Sequence, residues 1–248
     1  TRGAIWIAAS VAVLGFTAAQ IGLNPIALAK GMPYMLDFFS RMFPPDLEHL
    51  ALLGGATVET LQIAVWGTLI AIVTSIPLAL LGAKNTTPHI VVFHATRMFL
   101  NALRAINELV FALIFVAAVG LGPFAGVLAI ALHATGMLAK FCAEEVEGVD
   151  KGPIEAMQAT GAGRMQVILF GIVPQVIPAF ISYSIYRLDV SIRAATILGL
   201  VGAGGLGFSL IKTMKLFKYH ETATCILVIF VLVLVSDVIC ARLRSRIL

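Results

Sequence analysis

Charge is the scarcest property of this sequence. Only 12% of its 248 residues are Asp, Glu, Lys or Arg, against 60% hydrophobic residues and a mean hydropathy of +1.00. A soluble domain carries about 25% charged residues, so most of this surface is not built to face water, and the chain reads as an integral membrane protein. Cysteine is also sparse. Cys142, Cys225 and Cys240 are odd in number, widely spaced and set in or beside apolar segments. That pattern argues against both a disulfide framework and a metal site, and no metal is expected. Catalytic signatures are missing too: there is no Gly-x-Ser-x-Gly, no His-Glu-x-x-His and no nucleotide-binding loop. The chain is therefore expected to be no enzyme and to hydrolyse no ATP by itself. The net charge of +4 comes from basic residues clustered at the ends of apolar runs, a pattern of membrane orientation rather than of nucleic-acid binding.

What the sequence has is long apolar runs. A bilayer core takes about 20 apolar residues per helix, and six segments meet that length: residues 4–23, 57–83, 98–121, 124–143, 174–200 and 222–241. The third and fourth read as a hairpin folded at Gly120-Leu121-Gly122-Pro123, a turn signal. Although the chain starts at Thr1, residues 4–23 are read as a span and not a signal peptide, because the apolar run is long and no small-residue cleavage site ends it. Residues 24–56 contain Pro25, Pro33, Pro44 and Pro45 together with Tyr34, Phe38, Phe39 and Phe43. They are expected to form short helices at the outer interface, so residues 1–56 make a first span plus an interfacial segment and residues 57–248 the main membrane domain. With the N-terminus inside, the inner connections hold Arg2, Lys84, Arg97, Arg104, Lys151, Arg164, Arg242, Arg244 and Arg246, against Lys30, Arg41, Lys212, Lys215 and Lys218 outside. That bias places both termini in the cytoplasm.

The loop 144–173 falls on the same inner side. Glu144, Glu145, Glu147, Asp150 and Glu155 make it the most acidic stretch, and apolar residues recur through it at helical spacing on either side of Gly161 and Gly163. Two short amphipathic helices meeting at an angle can lie in a groove of another protein. The motif is Glu155-Ala156-Met157, three residues, Gly161, twelve residues, Pro174. It resembles the cytoplasmic loop of the membrane subunits of bacterial ABC importers, which has the form Glu-Ala-Ala, three residues, Gly, nine residues, Ile, one residue, Leu-Pro. Glu155, Ala156, Gly161 and Pro174 match in spacing, while Met157, Gly171 and Val173 replace Ala, Ile and Leu. The stretch from Tyr186 to Thr196, the run Leu198-Gly199-Leu200-Val201-Gly202-Ala203-Gly204-Gly205-Leu206-Gly207, and Asn107-Glu108-Leu109-Val110 with 117–123 are similar to phosphonate-importer permeases. The glycine-rich run is also similar to methionine and other small-solute permeases.

The resemblance implies an all-α, six-span permease of the type I importer architecture with cytoplasmic coupling helices in the bacterial inner membrane. It implies import of phosphonate or a related phosphorus oxyanion, with another small solute such as methionine as the alternative. It further implies a second copy of the chain, two ATP-binding cassette subunits that bind ATP and Mg, and an extracytoplasmic substrate-binding protein. The chain itself carries no cofactor in this reading. A stand-alone channel or secondary carrier is the more distant alternative. It would need no docking loop, and many carriers show internal repeats, which are not seen here.

Two further groups are singled out. Arg187, Asp189 and Arg193 lie in or near the membrane, where a charge costs roughly 2.5–3.5 kcal/mol on insertion scales and usually faces a cavity or a partner. Asp189 and Arg193, four residues apart, share a helix face and can pair. Alternatively, Arg187 or Arg193 lends positive potential to an anion path. Gly202, Gly204, Gly205 and Gly207 have no strand before them and no Lys-Ser/Thr after them, which speaks against a phosphate cradle. They read as a broken helix in a pore or outer gate, or as close helix packing. His133 is expected to be a hydrogen-bonded packing residue.

Overall fold

The computed structural model describes residues 2–246, and within them the side chains of Arg2, Ala4, Ile5, Ala8, Ala9 and Pro25 are not described. Thr1, Ile247 and Leu248 lie outside the described residues, as does the side chain of Arg2 in the charge count above. Two compact units divide the chain between Pro44 and Pro45.

The first unit holds α1 (Arg2–Ile21) and α2 (Pro25–Met42). Asn24 starts α2, its side-chain oxygen accepting from Ile26 N at 2.9 Å and Ala27 N at 3.3 Å. Pro25 fills the first turn, where a missing N–H costs nothing. The expected series of short interfacial helices is thus one 18-residue helix here, running through Pro33. A strong amide cap and an N-terminal proline outweigh the interior proline.

The second unit holds α3 (His49–Gly82), α4 (Ile90–Ala105), α5 (Glu108–Val119), α6 (Pro123–Gly148), α7 (Lys151–Ala159), α8 (Arg164–Gln166), α9 (Val173–Leu198), α10 (Gly205–Lys215) and α11 (Tyr219–Arg244). α3 has 34 residues, about 51 Å at 1.5 Å per residue. It starts eight residues before the expected span and overshoots a 30 Å hydrocarbon core. Four of the described helical stretches are long and apolar enough to cross a membrane, or six if each of two bent pairs counts as one span.

The core follows from small residues. Between lipid tails and Leu side chains there is no hydrophobic gain to drive association, so close backbone packing and interhelical hydrogen bonds carry it. α3 and α6 make the largest helix–helix contact. α3 buries Thr60, Ala64, Gly67, Thr68, Ala71, Ser75, Ala79 and Gly82, and α6 buries Ala125, Gly126, Ala129, Gly136 and Ala139. At the crossing, a Cβ on Gly67 would lie 2.7 Å from Ile130 Cγ2. Hydroxyls add the polar links: Thr74 and Thr135 are 2.6 Å apart, and Thr68 donates to Ser191 of α9 at 2.9 Å. Large apolar side chains such as Trp66, Val73, Phe230 and Val231 stay exposed, as a lipid-facing surface requires.

One expected span differs. Residues 98–121 do not form a single helix. α4 and α5 meet at an 89° bend at Ile106 and Asn107. Asn107 caps α5, its side chain accepting from Leu109 N at 2.9 Å. The Ile106 carbonyl lies 3.1 Å from His133 Nδ1, which satisfies a backbone group the bend sets free. The expected hairpin at 120–123 is present, with Gly120 and Gly122 at φ +91° and +140° and Pro123 opening α6.

Candidate functional site

Three places in the second unit carry the residues singled out by the sequence. The first is the loop between α6 and α9. Asp150 caps α7, accepting from Gly152 N at 3.1 Å. Gln175 closes the base of the loop: it accepts from Asp150 N at 3.0 Å and donates to the Gly171 carbonyl at 2.6 Å. α7 buries none of its residues, and Glu155 and Ala156 are exposed on it. The bend sits at Gly161 with φ +79°, a conformation favoured for glycine. Among the described residues nothing stands within 4 Å of where its Cβ would be, so backbone conformation rather than crowding selects glycine there. After the bend, α8 runs into a π-helical turn over Val167–Ile172 and then Pro174 in the first turn of α9. Proline has no N–H to give to the carbonyl four residues back, and single π turns inside helices occur frequently at functional sites. Gly171, which departs from the motif's Ile, lies with its Cβ direction 3.7 Å from Ile154 Cα, close enough for α7 to fold back onto the turn.

The second place is the charged stretch of α9. Arg193 donates to Asp189 as the four-residue spacing predicts, and Ser236 of α11 donates to Asp189 at 3.4 Å. Arg193 itself is half exposed. Arg187 is 2% exposed and pairs at 3.1 Å with Glu108 on α5, with Met137 Sδ at 3.6 Å. Its Nε has no hydrogen-bond partner among the described residues. The two arginines are therefore not brought together: Arg187 is held by α5 and α6, Arg193 by the α11 side of α9. The partner of Arg187, Glu108, stands 79 positions away in the chain, where no local spacing reveals it.

The third place is the glycine run. α9 ends in a short 3₁₀ turn, Gly202 is left-handed at φ +92°, and Gly204 and Gly205 follow at +81° and +69°. The chain is folded tightly: a Cβ on Gly207 would lie 1.9 Å from the Thr196 carbonyl oxygen, and one on Gly199 2.5 Å from the Gly204 carbonyl oxygen. Gly122 N donates to the Gly202 carbonyl at 2.9 Å and Leu206 N to Thr60 Oγ1 at 2.8 Å. A 320 Å³ recess opens here, lined by Glu59, Leu121, Gly202, Gly204, Phe208 and Ser209 among others. The helix is broken at this run and the chain is closely packed around it.

An all-helical multi-pass chain with an exposed loop helix at one end and a glycine-broken helix at the other has the build of a transport permease. Residues 75–248 match the family of binding-protein-dependent transport system inner membrane components, and the chain belongs to that family. It is a non-catalytic membrane subunit of the inner membrane. It is 42% identical over 224 residues to the phosphite transport system permease protein PtxC of Stutzerimonas stutzeri, covering 90% of this chain and 82% of that protein. It is 41% identical over 244 residues to the putative phosphite transport system permease protein HtxC of the same organism, covering 97% and 86%. Among solved structures, the MetNI methionine ABC transporter in an inward-facing conformation aligns with a TM-score of 0.70 at 19% identity, over 82% of this chain and 99% of that one. That is a likeness of fold.

Proposed function

We propose that this chain is the permease of an ATP-driven importer of phosphorus oxyanions, with phosphite, phosphonate and phosphate as the solute class. The observation that carries the solute class is the 42% identity to a phosphite permease over 90% of the chain; the methionine transporter shares the fold at 19% identity. In this reading both termini and the α7 loop lie in the cytoplasm, the permease works as a homodimer, and residues 57–248 form the transport domain with its coupling loop at 144–173. Each copy holds one of two ATP-binding cassette subunits, which bind ATP and Mg, and a binding protein delivers the solute from outside.

Glu155 and Ala156 are the exposed face that enters the ATPase groove, Gly161 sets the angle between the two arms, and Pro174 hands the motion to α9. Gly202, Gly204, Gly205 and Gly207 form the outer gate. Arg193, with Asp189 beside it and one face in contact with solvent or lipid, supplies positive potential to the anion path. Arg187 supports the path from behind through Glu108. ATP can drive the two arrangements apart only if it binds them with different affinity, and the loop is where that difference enters the membrane. The test is uptake into proteoliposomes by the complex with its binding protein, offered phosphite, methylphosphonate, phosphate and methionine. ATP-dependent uptake of the phosphorus oxyanions supports the reading, and uptake of methionine in their place overturns the solute class.

A further inference from the structure

We infer that Arg164 is a positioning residue that carries the motion of the docking loop into the α3–α4 connection as well as into α9, so that the loop drives the membrane helices through two arms. The inference rests on the reading of the α7 loop as the ATPase handle and adds its second output. The obvious path runs from α7 through the π turn to Pro174 and α9. A second path leaves the loop at Arg164, whose guanidinium donates to the Thr86 carbonyl at 2.8 Å and also to the Thr87 carbonyl. A guanidinium carries several donors on a planar fork and can hold two carbonyls at once. It is a hydrogen-bonded link from the far side of the Gly161 bend to a segment 77 positions earlier in the chain.

The gripped segment is tied to three helices. Thr86 Oγ1 donates to the Leu80 carbonyl of α3 at 2.6 Å. Asn85 Nδ2 donates to the Val146 carbonyl of α6 at 2.5 Å, and Lys84 N to Glu147 of α6 at 2.8 Å. Glu147 is in turn 2.9 Å from Arg97 of α4, whose Nε donates to the Gly82 carbonyl at 2.7 Å. His89 caps α4, its Nδ1 accepting from Val91 N at 3.2 Å. A pull on the Thr86 and Thr87 carbonyls is thus delivered to the ends of α3, α4 and α6 together. These include the two helices with the largest contact in the fold, while Pro174 stands in the first turn of α9. Because α9 packs against α3 and α6, a pull on the ends of α3 and α6 together with a pull on the start of α9 can shift these helices against one another.

The test uses the assembled complex with its ATPase and binding protein in proteoliposomes, reading solute taken up per ATP hydrolysed. Arg164→Ala keeps the ATPase bound and hydrolysing but lowers that ratio tenfold or more, and Arg164→Lys, which retains a donor, recovers most of it. A ratio for Arg164→Ala within twofold of the parent overturns the inference. If Arg164→Ala fails to assemble, Asn85→Ala decides, because it removes the side-chain tie from the same segment to the Val146 carbonyl of α6 without touching the loop: a lost ratio supports the second arm and an unchanged one refutes it. Failure of the underlying reading looks different, since the parent complex itself would then show no ATPase held at α7.

Discussion

Replacing Glu108 with Gln removes the charged partner of the most deeply buried cation in the unit. Arg187 is 2% exposed and Glu108 20%, so little water screens the pair. Without the carboxylate, the guanidinium keeps the Met137 thioether at 3.6 Å and a neutral amide, and its Nε already lacks a partner among the described residues. Breaking a buried pair by removing one member costs about 3–5 kcal/mol because the remaining charge is uncompensated. Glu108→Gln is therefore expected to lose about that much stability, read as a shift in reversible denaturation in mixed detergent micelles. The double variant Glu108→Gln with Arg187→Met removes the orphaned charge and places a flexible apolar side chain beside Met137. It is expected to return to within about 1 kcal/mol of the parent, since apolar replacement of a buried pair is often neutral or stabilising. A single variant as stable as the parent, or a double variant no better than the single, would show that Arg187 is solvated in the protein and would restore it as a candidate for direct contact with the anion.

Other expectations follow from the same geometry. Gly207→Ala drives a Cβ to 1.9 Å from the Thr196 carbonyl oxygen, a backbone clash no rotamer relieves, so folded protein is lost on size-exclusion chromatography. Gly67→Ala overpacks the α3–α6 crossing against Ile130 at 2.7 Å and is expected to cost about 1–3 kcal/mol, visible as a lower denaturation midpoint. Gly161 meets no neighbour, so Gly161→Ala pays only the left-handed backbone penalty, about 1–2 kcal/mol. Gly161→Asn, which tolerates that conformation better, retains more ATPase-coupled uptake than Gly161→Ala. Thr68→Ala breaks the link to Ser191 and is expected to cost about 0.6 kcal/mol, the average measured for such interhelical bonds in a membrane.

The sequence was most legible where a signal was local. The Gly120–Pro123 turn, the Asp189–Arg193 pair and the helix break near Gly202 each depend on residues within a few positions of one another, and the 144–173 loop stands out because its acidic residues interrupt an apolar chain. The bend at Asn107 was hidden because the apolar pattern continues across it. Its sole local mark is an Asn followed by Glu, a helix start that gains its force from His133 on another helix. The early start of α3 at His49 and the unbroken α2 were hidden for a related reason: four prolines in a segment suggest breaks, yet Pro25 begins a helix, Pro44 and Pro45 sit between helices, and Pro33 is absorbed. The partner of Arg187 and the grip of Arg164 on Thr86 and Thr87 were out of reach altogether, since both link positions more than 70 residues apart. What the sequence could say of Arg187 was the cost of a charge in or near the membrane, and the fold supplied the pairing with Glu108 that offsets it.

The central claim is that the α7 loop is the handle of a separate ATPase. It is tested most directly by a single cysteine at Gln158, an exposed position on α7, read against native cysteines that are all buried. In intact cells an impermeant thiol reagent added outside should leave Gln158→Cys unmodified, and in the purified complex a bifunctional crosslinker should join it to the ATPase subunit. Labelling from outside, or a complex in which that cysteine reaches no second protein, would contradict the account.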